Sequence, residues 1–158
     1  MNESAAVAGS GREFDHEEVR RVFGAAARAV RVARETASPT VDAARAAVAA
    51  IEGLEQVLLA HFAYEEAESG FFAEALGMAP ARAHELEALR RSHPDLVARI
   101  AAIADRARWA GLSGDSWKRV AASFGEFARR LERHEHSEEL LMADMLASRF
   151  RSGTDRTP

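Results

Sequence analysis

Cysteine is absent from this 158-residue chain. That excludes disulfides, a thiol nucleophile, thiolate-bound zinc and Cys-ligated iron–sulfur clusters. Aromatic residues make up only 7% and proline occurs four times, so little in the sequence favours strands or interrupts helices. No run of about 18 apolar residues occurs, so neither a membrane-spanning helix nor a membrane partner is expected. The first ten residues, Met1 to Ser10, lack the basic start and apolar stretch of a signal peptide, and a cytoplasmic location is expected. Positive charge is not in excess: 21 Lys and Arg stand against 25 Asp and Glu, a net charge of −4. Nucleic acid is therefore not an expected partner, and the pairs Arg90-Arg91 and Arg129-Arg130 read as solvated faces. Neither the zinc-protease pattern H-E-x-x-H nor an EF-hand loop is present.

What is abundant is Ala, Leu, Glu and Arg, all good helix formers, with apolar residues recurring at three and four. Four long helices are expected. The first spans about Phe14 to Glu35, with Val19, Phe23, Ala27 and Val30 on its apolar face. The second starts with Ser38 as cap and Pro39 at the first helical position, and runs to about Ser69, with Gly70 as its stop. A short link, Phe71 to Gly77, leads to a third helix from about Pro80 to Trp109, which Pro94 should kink or divide. Asp115 or Ser116 caps the fourth helix, which runs to about Arg149. Residues 1–12 and 151–158 are expected to be disordered tails, leaving 13–150 as one domain. The fold class expected is all-α, an antiparallel up-down-up-down four-helix bundle.

Polar residues interrupt the apolar faces. Of six histidines, His16, His61, His93 and His134 fall on the apolar stripes, one per helix. His84 lies nine residues from His93, about half a turn round the helix, and His136 lies about 200° from His134; both should point outward. His61 and His134 each begin the pattern H-x-x-x-E-E, which places Glu65 and Glu138 one turn on, on the same face. Glu139 is the alternative to Glu138 if the fourth helix is rotated, while Glu66 and Glu68 read as solvated charges. Burying glutamate is costly unless it is paired or metal-bound. Four imidazoles and two carboxylates converging from four helices suit a pair of iron or manganese ions, with each carboxylate bridging both. Leu58, Phe62, Leu89, Leu96, Leu131 and Leu141 would keep such a pocket dry, and Phe71-Phe72 reads as a plug at the bundle end.

This order of ligands resembles the hemerythrin-like, or HHE cation-binding, domains over about Phe14 to Phe150. The resemblance implies a non-haem di-iron centre with an oxo or hydroxo bridge. His16 and His61 would hold one iron, His93 and His134 the other, and Glu65 and Glu138 would bridge them. The oxygen-carrying members have a further histidine one turn from the first on the third helix, where this chain has Leu89 and Val97. Their fourth-helix carboxylate is an aspartate five residues after the histidine, whereas Glu138 is four after. The set of four His and two Glu is similar to the iron–sulfur-cluster repair di-iron proteins, whose additional cysteine-containing N-terminal segment this sequence lacks. The function expected is binding of, or reaction with, a small oxygen or nitrogen species (O₂, NO or peroxide), in sensing, scavenging or iron handling. Two other classes compete. A ferritin-like di-iron oxidase needs E-x-x-H on two helices, and only Glu13 to His16 fits. A metal-free interaction module would need the inward polar groups to satisfy one another.

Overall fold

The computed structural model describes residues 4–154, and side chains over residues 16–147. Its elements in chain order are α1 (Ser4–Arg34), α2 (Val41–Glu65), α3 (Phe71–Met78), a 3₁₀ turn (Pro80–Arg82), α4 (Ala83–Trp109) and α5 (Gly114–Thr154). No strand occurs among the described residues. The four long helices form an antiparallel bundle. α1 packs on α2, α2 on α4, α4 on α5, and α5 returns to α1, so each helix touches its two neighbours around one core.

The expected four helices are all present, with revised limits. α1 begins at Ser4 rather than near Phe14, and α5 continues to Thr154 rather than Arg149. Residues 1–3 and 155–158 of the expected tails lie outside the described residues. Thr40, not Ser38, caps α2: its backbone is extended and its Oγ1 accepts from the Ala43 N–H at 3.2 Å. Ser113, not Asp115 or Ser116, caps α5 by accepting from the Ser116 N–H at 3.3 Å. The link at 71–77 is itself helical, as α3. Pro94 lies on an exposed face inside α4 and does not divide it. It removes one backbone hydrogen bond without ending the helix.

The expected apolar stripes build the core. Val19 and Val30 of α1 meet Ile51, Leu54 and Leu58 of α2, Leu96, Ile100 and Ile103 of α4, and Val120, Phe124, Phe127 and Leu131 of α5. Trp117 is fully buried, and its indole N–H donates to the Gly111 carbonyl at 3.0 Å. Gly111 has φ +55°, a conformation that side chains resist, and it turns the chain from α4 into α5. A second, smaller cluster joins Phe71, Phe72, Ala75, Leu86, Leu141 and Met145. It closes one end of the bundle, so α3 is the plug that the Phe71-Phe72 pair suggests.

By length and composition α2 is apolar enough to cross a membrane. Here its apolar face lies against α1 and α4, and its last turn carries His61 and Glu65 into the same core.

Candidate metal centre

The described side chains include five buried polar residues: His61, Glu65, His93, His134 and Glu138. All five belong to the six read from the sequence. The sixth, His16, stands at the edge with its side chain 21% exposed. His84, His136 and Glu139 all point outward. Glu138 rather than Glu139 thus faces the interior.

The six residues form two groups whose ligand atoms lie within 4.8 Å of one another: His16, His61 and Glu65, and Glu65, His93, His134 and Glu138. Glu65 belongs to both. Its Oε1 lies 3.1 Å from His61 Nε2 and 3.7 Å from His16 Nε2, while its Oε2 lies 3.5 Å from His93 Nε2. One carboxylate therefore turns one oxygen to His16 and His61 and the other to His93. Glu138 Oε1 lies 2.9 Å from His134 Nε2 and 3.9 Å from His93 Nε2. The i, i+4 spacing brings Glu65 over His61 and Glu138 over His134 on adjacent turns.

The tautomers of two rings follow from their outer partners. His93 Nδ1 lies 2.7 Å from Glu66 Oε1, and a carboxylate only accepts, so Nδ1 carries the proton. The Ser92 hydroxyl donates to the Leu89 carbonyl at 2.7 Å and so accepts from His134 Nδ1 at 2.8 Å. Whenever such a ring is neutral, its Nε2 carries the lone pair. The two Nε2 atoms face each other at 3.2 Å, with Glu65 and Glu138 beside them. Two donors each about 2.1 Å from one ion, at an angle between about 90° and 110°, stand roughly 3.0–3.4 Å apart.

The carboxylates agree with this. Glu65 Oε2 and both oxygens of Glu138 are buried without a hydrogen-bond donor. Such orphan acceptors cost stability unless a cation meets them. Burial pushes the Glu65 carboxyl up, but the imidazoles of His16, His61 and His93 around it outweigh burial and hold it at about 2. Burial likewise raises Glu138, and His134 and His93 beside it bring it below the usual carboxylate value. Both carboxylates are ionised at neutral pH. Balancing positive charge must sit on the imidazoles as protons or between the residues as metal ions, and metal binding would release those protons. The donor set of imidazole nitrogen and carboxylate oxygen, without sulfur, suits iron or manganese.

Apolar groups enclose the centre. Phe62 stacks on His93 with ring centres 3.9 Å apart and planes 10° off parallel, and Phe72 meets the same ring edge-on at 5.4 Å. Leu58, Leu96, Leu131 and Leu141 are buried, and Leu89 is partly so. Tyr64, the one tyrosine, is about half exposed.

Two residues at the site were not legible as such. Glu66 is exposed, as its position suggests, yet its carboxylate bonds His93 rather than facing water alone. Glu135 is half-buried on the α1 side beside Val19, Phe23 and Leu131, and burial holds its carboxyl above its usual value. Its place one residue after His134, about 100° round α5, was the available signal.

A family model described as the hemerythrin HHE cation-binding domain matches residues 13–146. Comparisons with curated proteins and with solved structures find no match. The matched span runs from just before His16 to beyond Glu138 and covers most of each of the four long helices. A helical bundle with an internal His/Glu cluster is what a cation-binding domain requires, and the chain belongs to the hemerythrin HHE cation-binding family.

Proposed function

We propose that this protein holds a pair of non-haem iron ions inside the bundle and uses them to bind, or react with, a small oxygen or nitrogen species such as O₂, NO or peroxide. His16 and His61 would hold one ion and His93 and His134 the other. Glu65 and Glu138 would bridge the pair, which an oxo or hydroxo group completes. The observation that carries this reading is Glu65, whose one oxygen faces His16 and His61 while the other faces His93. Six donors for two ions leave coordination positions open, and open positions distinguish a reactive metal site from a structural one.

A bound iron pair supplies those open positions and electrons for a diatomic or peroxide ligand. The chain's own residues set the surroundings. Phe62 and Phe72 hold the His93 ring, and the buried leucines exclude bulk water, which strengthens every charge interaction inside. Neither Leu89 nor Val97, one turn either side of His93, adds a donor. Glu138 supports its bridging role less directly than Glu65, because it lies against His134 and His93 of the same pair.

The test is metal analysis and optical spectroscopy of protein from iron-supplemented culture, before and after NO. Iron at about two per chain, with near-ultraviolet bands of a bridged pair and a new NO-dependent band, is the expected result. One ion per chain, or iron without an NO response, would overturn the di-iron or the gas-binding part respectively.

A further inference from the structure

We propose that Glu66 is a positioning residue of this centre: its carboxylate fixes the tautomer of His93 and raises the donor strength of His93 Nε2. The proposal rests on the reading just given, that His93 ligates a metal ion.

The geometry begins with how α2 ends. Glu65 is its last residue, and Glu66 leaves the helix while its N–H still bonds the Phe62 carbonyl at 3.0 Å. The chain then turns sharply, with the Gly70 N–H donating to the Ala67 carbonyl at 2.8 Å. A Cβ at position 70 would stand 2.3 Å from the Tyr64 carbonyl oxygen and 2.4 Å from that of Glu65, so this turn closes only over glycine. Glu66 keeps helical backbone angles, φ −85° and ψ −5°, so it lies one turn beyond Phe62, the residue that stacks on His93. Its carboxylate therefore reaches across to α4.

There it meets a ring with no other freedom. His93 is 2% exposed, stacked on Phe62 and edged by Phe72, and its Nε2 faces His134. Only Nδ1 points outward, and Glu66 Oε1 lies 2.7 Å from it. Glu66 itself is 38% exposed and lines a cleft of about 480 Å³ between α2, α3 and α4. A buried ligand is thus tied to the surface through one carboxylate.

The second ring of the same group is an internal comparison. His134 Nδ1 bonds the neutral hydroxyl of Ser92, whereas His93 Nδ1 bonds an anion. Hydrogen bonds to an ionised acceptor are roughly twice as strong as neutral ones. A carboxylate behind a ligating imidazole also makes that imidazole more basic, and the effect on metal affinity of losing such a partner is typically 10–100-fold, as an order of magnitude. Electron-rich ligands favour the oxidised ion, so Glu66 should lower the reduction potential of the iron that His93 holds.

The experiment compares Glu66→Ala, Glu66→Gln and Ser92→Ala with the wild type, with Glu68→Ala as an exposed neighbour and Glu65→Ala as a ligand control. Fe(II) is titrated anaerobically against a chromophoric chelator, and the midpoint potential is measured by spectroelectrochemistry. Glu66→Ala should weaken one Fe(II) site by about 10–100-fold. Glu66→Gln should recover most of that affinity, because its amide oxygen still accepts the bond, yet raise the potential because the charge is gone. Glu68→Ala should change neither. A role confined to shaping the turn would leave the potential of Glu66→Gln at the wild-type value. That result, or wild-type affinity in Glu66→Ala, overturns the proposal while Glu65→Ala still loses iron. If the wild type and Glu65→Ala are alike in failing to bind Fe(II), the metal reading itself fails.

Discussion

The Nε2 atoms of His93 and His134 face each other at 3.2 Å although both rings carry a proton on Nδ1. The pair needs either an extra proton or a shared cation between its two Nε2 atoms, and a cation meets both lone pairs at once. Metal should therefore stabilise the fold strongly. With free metal at 100 times its dissociation constant, linkage gives about 2.7 kcal/mol, or roughly 5–10 °C in Tm for a chain of this size. Calorimetry before and after chelation measures this, and an unchanged Tm contradicts it.

Ligand loss should follow the two groups. Glu65→Ala removes a residue common to both and should lower metal content at both ions. Glu138→Ala should act chiefly on the ion held by His93 and His134. His84→Ala and His136→Ala should leave metal content unchanged, because both side chains face solvent. Equal losses from the inward and outward variants would contradict the placement of the centre.

Acid should weaken the metal-free protein through Glu65. Its carboxyl is held at about 2, below the usual 4.5, so its ionised form stabilises the fold fully above pH 4.5. That contribution is lost as pH falls from 4.5 towards 2. The destabilisation caused by Glu65→Gln in the metal-free protein should accordingly be largest at neutral pH and shrink through this window. Urea unfolding at several pH values tests the sign: a Gln penalty that grows with acid is the opposite outcome.

Gly70→Ala should cost about 2 kcal/mol or more, within the range of substitutions that force backbone to move. The added Cβ would meet the carbonyls of Tyr64 and Glu65, directly beside the shared carboxylate. Gly53→Ala, with open space around the site, should be neutral or slightly stabilising by helix propensity. The two midpoints in urea decide it, and equal midpoints would show that the turn adapts.

Much of this site was legible because helix periodicity is a geometric rule. An inward Leu58 puts His61 inward three residues later and Glu65 one turn beyond, and the same step runs from Leu131 to His134 and Glu138. The outward positions of His84 and His136 follow from the same angle. What periodicity does not contain is how a helix ends. Ser38 and Thr40 are both good caps followed by helix formers, and only the extended backbone at Thr40 separates them. Phe71 to Met78 is apolar but short, below the length at which a pattern distinguishes helix from loop, and its packing on Leu86 and Leu141 makes it α3. Glu66 reads as a solvated charge while α2 is taken to continue to Ser69. Its contact with His93 follows from its place one turn beyond Phe62, on the face that meets α4.

The most direct test of the central claim is the metal content of protein purified from iron-supplemented culture, read together with its near-ultraviolet spectrum. The expected result is about two iron ions per chain with the bands of a bridged pair. Protein that carries no metal and fails to take up iron on reconstitution would contradict it, leaving the inward histidines and glutamates as a protonated network.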